Sequence, residues 1–232
     1  MPELITSPAA VYPVRRVSAP PELNRFSEDV AWAHAATADI VHYHPRSGIH
    51  RPRCSARLLL AESSLYLLFT VDDCFVQSVQ TQMNSSVCTD SCVEFFVQPT
   101  DAGYFNFEVN AGGTIHCSYI RDNRITAGAF ADYDFLPADL LRRVRIAHTM
   151  PSIVYPEISV PVSWSIAMEI PMDVFEEYSG PPSVLPGSRW RGNFFKCADH
   201  TSHPHWASWH CIGEELNFHR PERFGVLEFV RR

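Results

Sequence analysis

Residues 92–120 read CVEFFVQPTDAGYFNFEVNAGGTIHCSYI. Three runs rich in β-branched and aromatic residues are separated by PTDAG at 99–103 and by AGG at 111–113, which are typical turn sequences. Alternation of apolar and polar residues predicts half-buried β-strands, because successive side chains of a strand point to opposite faces. The segment therefore predicts a three-stranded antiparallel meander.

A hairpin turn centred on Asp101 would set the register of the first two strands. It would place Glu94 directly opposite Glu108, on the face that the apolar side chains avoid, with Cβ atoms roughly 5 Å apart. Two like charges at that spacing are destabilising unless a cation, a shared proton or ligand hydroxyls compensate them. The pair is a candidate functional feature. The alternative is that both glutamates are solvated, or that one of them is bridged to Lys196.

Other segments show similar patterns along the chain. Further strands are predicted at 64–72, 163–170, 189–198 and 224–230. The sequence PMDVFEEY, beginning at Pro171, predicts one short helix. Many short strands with one helix indicate an all-β protein, an antiparallel β-sandwich of jelly-roll or immunoglobulin-like type. The proline-rich residues 1–26 are expected to form an extended lead-in, and residues 27–232 a single domain.

Composition excludes several classes of partner. The chain has 232 residues, 46% of them hydrophobic, and 19 basic against 26 acidic side chains give a formal charge of -7. A chain of this length can bury the core of one domain, and the negative balance argues against nucleic acid or an anionic membrane as partner. No signal sequence is evident near the N-terminus, so we expect a cytoplasmic protein, or a secreted or periplasmic one if the sequence is already processed.

Metal sites have only weak signals. The seven cysteines include no CxxC pair and are expected to be mostly reduced core residues. No cofactor is required by the sequence. Calcium is compatible with three aspartates near strand ends, Asp72, Asp73 and Asp90, and the histidine-rich segment 200–219 leaves a transition-metal site open.

Four motifs occur in a fixed order. They are DSCVEFF at 90–96, GYFNFEVN with a following glycine at 103–113, WSIAMEIP at 164–171 and PERFGVL at 221–227. Together with Trp32 upstream, this ordered set resembles the family 9 carbohydrate-binding modules over roughly residues 27–230. The resemblance implies a β-sandwich that binds a saccharide and acts in polysaccharide catabolism without being an enzyme.

The resemblance also implies a binding surface. Glu94 matches the glutamate that contacts the sugar, and Trp209 matches the aromatic platform, so we expect a sugar stacked on Trp209 and hydrogen-bonded by Glu94. The apolar C–H face of a sugar suits an indole, and its hydroxyls suit carboxylates. Further candidates near the same surface are Glu108, Trp206, Asn110 and Lys196.

The chain departs from the family pattern at two places. Residues 85–89 replace a second tryptophan, and Glu108 stands where the family has an arginine, which predicts a different ligand. Glu94 with Glu108 also has the spacing of a glycoside hydrolase pair, about 5 to 9.5 Å between carboxyl groups. A haem- or metal-binding sandwich is a second alternative, although Met168, a potential axial ligand, is predicted to face the core. The oligomeric state stays open.

Overall fold

The structure, a computed structural model, describes residues 10–231. The strands of these residues are β1 (Val11–Val17), β2 (Ala38–Asp39), β3 (His42–Tyr43), β4 (Arg53–Ala61), β5 (Ser64–Asp73), β6 (Val76–Ser78), β7 (Cys92–Thr100), β8 (Gly103–Asn110), β9 (Ile115–His116), β10 (Ser118–Thr126), β11 (Ala129–Phe135), β12 (Arg145–His148), β13 (Val154–Ile158), β14 (Val162–Pro171), β15 (Arg189–Ala198), β16 (His205–Ser208) and β17 (Gly225–Val230). The helices are α1 (Ala138–Leu141), α2 (Met172–Ser179) and four short 3-10 turns, Leu23–Glu28, Val30–His34, Val87–Thr89 and Pro221–Arg223.

The predicted all-β sandwich is confirmed. One large sheet runs in the order β11-β10-β8-β7-β15-β17-β1-β4-β5-β14-β12, and β13 pairs with β6 separately. It folds over an apolar core, so that Phe69 of β5 meets Phe194 of β15 edge-on, with ring centroids 6.2 Å apart. The predicted helix is present as α2, directly after Pro171, and the one-turn helix α1 is an addition. No helix within residues 10–231 is long and apolar enough to cross a membrane.

Strand β1 links the two halves of the sheet. It pairs in parallel with β17 on one side and with β4 on the other, whereas the other strand pairs are antiparallel. Inside the core, the Tyr12 hydroxyl accepts a hydrogen bond from the Leu58 amide at 2.8 Å and donates one to the Ala36 carbonyl at 2.5 Å. Part of the expected lead-in is therefore a sheet strand. Its first nine residues lie outside the described residues.

The outer face of β5 is also covered. Leu65 and Phe69 point into the main core, as the alternation predicts. On the opposite face Tyr66 and Leu68 pack with Trp32, which the 3-10 turn Val30–His34 carries across the sheet. Burial on both faces explains why this strand reads as a nearly continuous apolar run.

The register predicted for the β7–β8 hairpin is confirmed. Glu94 pairs with Glu108, Cys92 with Asn110 and Phe96 with Asn106. The intervening apolar residues of both strands lie in the main core. The two glutamates consequently share the outer face of this sheet.

Candidate functional site

The outer face of β7, β8 and β15 carries an ordered grid of side chains. Glu94 lies between Glu108 on β8 and Phe195 on β15, and Cys92 lies opposite Cys197 of β15. Because residues two apart in a strand share a face, these five side chains point to the same side of the sheet. They form the floor of the candidate site.

The segment between β16 and β17 crosses one end of this face. Ile212 and Phe224 are buried against Phe96 and Phe195, and Phe218 stacks on Phe195 with ring centroids 4.1 Å apart. This long connection turns an open sheet surface into a cleft, because it builds a wall above the floor.

The cleft has a volume of about 310 Å³, near the lower end of the range typical of small-molecule sites. Its floor contains Glu94, Glu108 and Cys197, and its walls include Trp206 and Phe218. Acidic and aromatic side chains therefore face one small space. That combination suits a ligand with both apolar faces and hydroxyl groups.

Both glutamates are buried, with 2% of Glu94 and 6% of Glu108 exposed. The Cys197 thiol donates a hydrogen bond to Glu94 Oε1 at 2.9 Å, and the Asn106 amide donates one to Glu108 Oε1 at 2.8 Å. Burial raises the pKa of both carboxyls, and the neighbouring Glu108 raises that of Glu94 further. The alternative of two solvated glutamates is wrong, because the connection after β16 covers them.

Within residues 10–231 this acidic cluster forms no ion pair, and Lys196 acts on Glu94 only from the other face of β15. The ion pairs formed within residues 10–231 include neither of the two glutamates nor Asp199, which lines the same cleft. Burial raises the pKa of Asp199 as well. At neutral pH the cleft can therefore offer protonated carboxyl groups, which both donate and accept hydrogen bonds.

Trp206 is held rigidly at the wall. Its indole Nε1–H donates to Asp199 Oδ1 at 2.7 Å, its amide donates to Ser47 Oγ at 3.0 Å, and its carbonyl accepts from the His44 amide at 2.8 Å. The side chain is only partly buried. An anchored indole with free surface can stack on a ligand at little cost in side-chain entropy.

Trp209 is not part of this cleft. The ring lies edge-on to Tyr12 and Phe194, with centroids 6.2 and 5.6 Å away, and packs against the main core. It also covers Gly225, where an added Cβ would come within 2.4 Å of the ring. Trp209 directly follows β16, and its amide donates to the Phe194 carbonyl of β15 at 2.9 Å, which continues the strand pairing by one residue. Three positions along an extended chain direct Trp206 and Trp209 to opposite faces.

Lys196 also points away from the cleft, into the core. It is fully buried, donates hydrogen bonds to the Cys197 carbonyl at 2.9 Å and to His205 Nε2 at 2.8 Å, and lies 3.5 Å from Asp73 Oδ2. Its position next to Cys197 in β15 requires this opposite direction. The structure does not bring Lys196 to Glu94, and no bridge forms between them.

Asn110 shares the face of the glutamates but is fully engaged. Its amide donates to Asp90 Oδ2 at 2.8 Å and to the Gln80 carbonyl at 2.9 Å, and its Oδ1 accepts from the Thr114 amide at 2.8 Å. These bonds close the turn after β8. Asn110 therefore supports the sheet end and does not line the cleft.

The three candidate calcium ligands each contact a different set of residues. Asp73 faces Lys196 and His50, Asp72 accepts from Ser163 Oγ at 2.7 Å, and Asp90 accepts from the backbone amides of residues 79 and 80. The structure brings together a different set. Within the described chain, the group whose ligand atoms lie close enough to share an ion is Cys92, Glu94 and Cys197.

Among the described residues, the histidines of segment 200–219 do not form a group close enough to share an ion, although His203 and His205 lie edge-on to His50 with ring centroids 6.1 and 5.4 Å away. His203 stacks on Phe75, His205 accepts from Lys196, His210 contacts the Arg223 carbonyl, and His219 contacts the Tyr104 hydroxyl. Met168 is buried in the main core, as its position in the alternating strand predicts. A larger concavity, about 630 Å³, lies between β1 and residues 18–34 and contains none of the predicted site residues.

Several residues of the cleft were not predicted as saccharide-binding residues, notably Asp199, Phe218 and His219. They follow β15 and β16 in connections without strand periodicity, so no local pattern indicated their direction. The sequence could indicate the direction of Cys92, because Cys92 lies two positions before Glu94 in the same strand and therefore on the same face. Its partner Cys197 required the β7–β15 pairing to be known.

Comparison with known proteins gives a consistent result. The sequence matches the profile of carbohydrate-binding family 9 over residues 28–229. A crystal structure of a Bacteroides uniformis ATCC 8492 protein, proposed to bind carbohydrate, is 27% identical with a TM-score of 0.83, covering 95% of this chain and 99% of that chain. No curated protein sequence shows significant similarity.

Two further structures share the fold at lower identity. Both show a family 9 carbohydrate-binding module from Caldicellulosiruptor kristjanssonii. In complex with cellotriose it has a TM-score of 0.63 at 14% identity, covering 96% of this chain and 95% of that chain. In complex with glucose it has a TM-score of 0.61 at 14% identity, covering 96% and 97%.

Proposed function

Because the chain belongs to carbohydrate-binding family 9, we propose that it binds a saccharide in the cleft above β7, β8 and β15. One observation carries the proposal: the partly exposed indole of Trp206 and two buried carboxyl groups, Glu94 and Glu108, line the same cleft. A sugar needs both an apolar platform and several hydrogen-bonding groups for its hydroxyls.

Each group has a defined part in this proposal. The C–H face of a sugar ring stacks on Trp206, which its bond to Asp199 holds in place. Glu94 and Glu108 hydrogen-bond to ring hydroxyls from the floor. A buried, protonated carboxyl can donate as well as accept, so this pair suits hydroxyl groups, which do the same.

Trp209 is the alternative platform, since the motif resemblance indicates it. A sugar on Trp209 would have to bind outside the cleft, away from the glutamates. Geometry favours Trp206 for this reason. The two positions make opposite predictions for the effect of an alanine substitution on affinity and on stability.

The sugar is expected to differ from a simple glucan end. The solved modules with cellotriose and glucose make β-glucan oligosaccharides the first probes to test. The acidic Glu108, at the family's arginine position, adds a negative or proton-donating group to the floor. A neutral or cationic sugar therefore fits better than an anionic one.

A glycan array followed by titration calorimetry tests the proposal. Wild type is compared with Glu94→Gln and Trp206→Ala, and with Glu177→Gln as a control, because Glu177 is exposed on α2. We expect one saccharide class to bind, with affinity lost in the first two variants and kept in the control. Equal binding by all four proteins, or no binding to any glycan, would refute the site.

The same panel separates binding from catalysis. We propose a non-catalytic role in polysaccharide catabolism, in which the protein holds a glycan that another enzyme cleaves. Hydrolysis of a bound glycan by wild type, lost in both Glu94→Gln and Glu108→Gln, would instead identify a glycoside hydrolase pair.

A further inference from the structure

The floor of the cleft holds two thiols and a carboxyl group at close range. Cys92 and Cys197 are direct cross-strand partners, and Glu94 follows on the same face of β7. One ligand atom from each residue lies within 4.8 Å of the other two. The Cys197 thiol is already 2.9 Å from Glu94 Oε1. All three residues are buried.

We propose that Cys92, Glu94 and Cys197 bind one thiophilic divalent cation, with Zn²⁺ the best chemical match. Zinc accepts mixed sulfur and oxygen ligands in tetrahedral geometry, with Zn–S distances of about 2.3 Å and Zn–O distances of about 2.0–2.2 Å. Ligand atoms around such an ion are about 3.5 Å apart. The three ligand atoms lie within 4.8 Å of one another on paired strands, so side-chain rotation is the adjustment that metal binding requires.

Charge in the cleft favours the same conclusion independently of ligand spacing. Glu94, Glu108 and Asp199 surround the cleft floor, and none of them forms an ion pair within the described residues. A buried carboxyl group outside an ion pair is kept neutral by a proton or balanced by a cation. A divalent ion bound here would take the place of the proton on Glu94.

The site has an entry path and a fourth coordination position. Glu94 and Cys197 line the cleft, so an ion can reach them from solvent, whereas Cys92 is fully buried beside them. The group close enough to share an ion has three residues, so a water molecule from the cleft would complete a four-coordinate site. Hard cations such as Ca²⁺ are disfavoured, because two of the three ligands are sulfur.

Binding is balanced by release of protons. Each Zn–S bond forms as a thiol proton leaves for solvent, and the carboxyl of Glu94 releases its proton when it is protonated beforehand. Zinc uptake should therefore release two or three protons per ion and tighten as pH rises. Neither oxidant nor reductant is needed.

Zinc binding is measured without any saccharide, so a negative result for zinc and a negative result for saccharide binding can be told apart. The full chain is reduced with a phosphine, freed of metal with a chelator and titrated with ZnCl₂ in a calorimeter. A parallel titration with Co²⁺ reads the thiolate-to-cobalt charge-transfer absorption and the visible bands of a tetrahedral site. We expect one ion per chain with a thiolate signature.

Three variants identify the ligands. Cys197→Ser should weaken zinc binding on the order of 100-fold or more, since loss of even an outer-shell partner costs about 10- to 100-fold. Cys211→Ser is the matched control and should bind like wild type, because Cys211 is exposed and outside the cleft. Glu94→Gln keeps both thiols, so it should bind at least tenfold more weakly yet retain the charge-transfer band, and it substitutes for Cys197→Ser if that variant does not fold.

Three results would overturn the proposal. The first is a titration without a cobalt–thiolate band, and the second is zinc affinity unchanged in both Cys197→Ser and Glu94→Gln. The third is a Cys92–Cys197 disulfide, found by mass spectrometry in protein isolated without reductant. Saccharide binding by the metal-free protein, whatever its outcome, leaves these readouts unaffected.

Discussion

Replacing Trp206 or Trp209 by alanine should produce opposite phenotypes. Trp206 lines the cleft, whereas Trp209 packs on the core through Tyr12 and Phe194. If the sugar stacks on the indole of Trp206, its loss should cost about 2 kcal/mol of binding free energy, which is roughly a 30-fold increase in Kd. Trp209→Ala should leave Kd within about twofold.

The stability effects should run the other way. A buried tryptophan replaced by alanine typically costs about 3–5 kcal/mol, and Trp209 is partly exposed, so about 2–3 kcal/mol is expected. Gly225 beneath the ring has no side chain with which to fill the cavity. Trp206→Ala should cost about 1 kcal/mol, chiefly from the lost hydrogen bond to Asp199.

Two measurements on the same samples show which tryptophan is the platform for the sugar. Urea denaturation gives the free energy of unfolding, and calorimetry with a sugar found on the array gives Kd at a temperature where each variant is folded. If Trp209→Ala weakens binding tenfold or more while Trp206→Ala binds like wild type, the platform is Trp209 and the assignment of the cleft is wrong.

Three further predictions concern the buried residues Lys196 and His205 and the binding of calcium. Lys196→Met should destabilise the fold by about 3–5 kcal/mol, because it leaves the carboxylate of Asp73 buried without its ammonium partner, and adding Asp73→Asn should recover much of that loss. Burial, reinforced by Lys196, lowers the pKa of His205 to about 3, so between pH 6.5 and 3 the unfolded chain binds a proton that the folded chain does not. His205 should therefore contribute a loss of about 2 kcal/mol of stability from pH 7 to pH 5, measured as the difference between wild type and His205→Gln, because the raised pKa of Glu108 acts in the opposite direction in both proteins. Calcium added to metal-free protein should leave Tm unchanged, since Asp72, Asp73 and Asp90 do not share one site.

Each of these three predictions has a result that would contradict it. Urea midpoints across pH, with the denaturant slope held constant, report the Lys196 and His205 effects. Full loss of stability in the Lys196→Met, Asp73→Asn double variant would contradict the pairing. An equal pH slope in His205→Gln and wild type would assign the acid sensitivity to another group. A calcium-dependent rise in Tm would reveal a site that these contacts do not indicate.

Much of the sheet could be predicted from local pattern. The β7–β8 register, the pairing of Glu94 with Glu108 and the direction of Met168 follow from alternation and a short turn. A hairpin register depends on residues that are neighbours in sequence. The face on which each of these side chains lies was therefore predicted correctly.

The contents of the cleft could be predicted only in part: Glu94, Glu108 and Trp206 line it, whereas other predicted residues do not. Lys196 and Trp209 are predicted site residues, but β15 directs Lys196 to the core side of the sheet, and Trp209, the residue after β16, packs on the same side. Which face of β15 meets the core depends on its pairing with β7, about 100 positions earlier in the chain. No local pattern contains that information.

The sequence by itself determined that two glutamates face each other on one side of a hairpin, because period-two alternation and a tight turn leave a single register. Only the tertiary structure decided that they are buried and outside every ion pair formed by residues 10–231. A distant strand brings Cys197 to them, and the connection after β16 closes over them. The burial of the two glutamates and their distance from positive side chains depend on contacts between residues far apart in the chain. Both properties therefore arise only when the sheet is assembled.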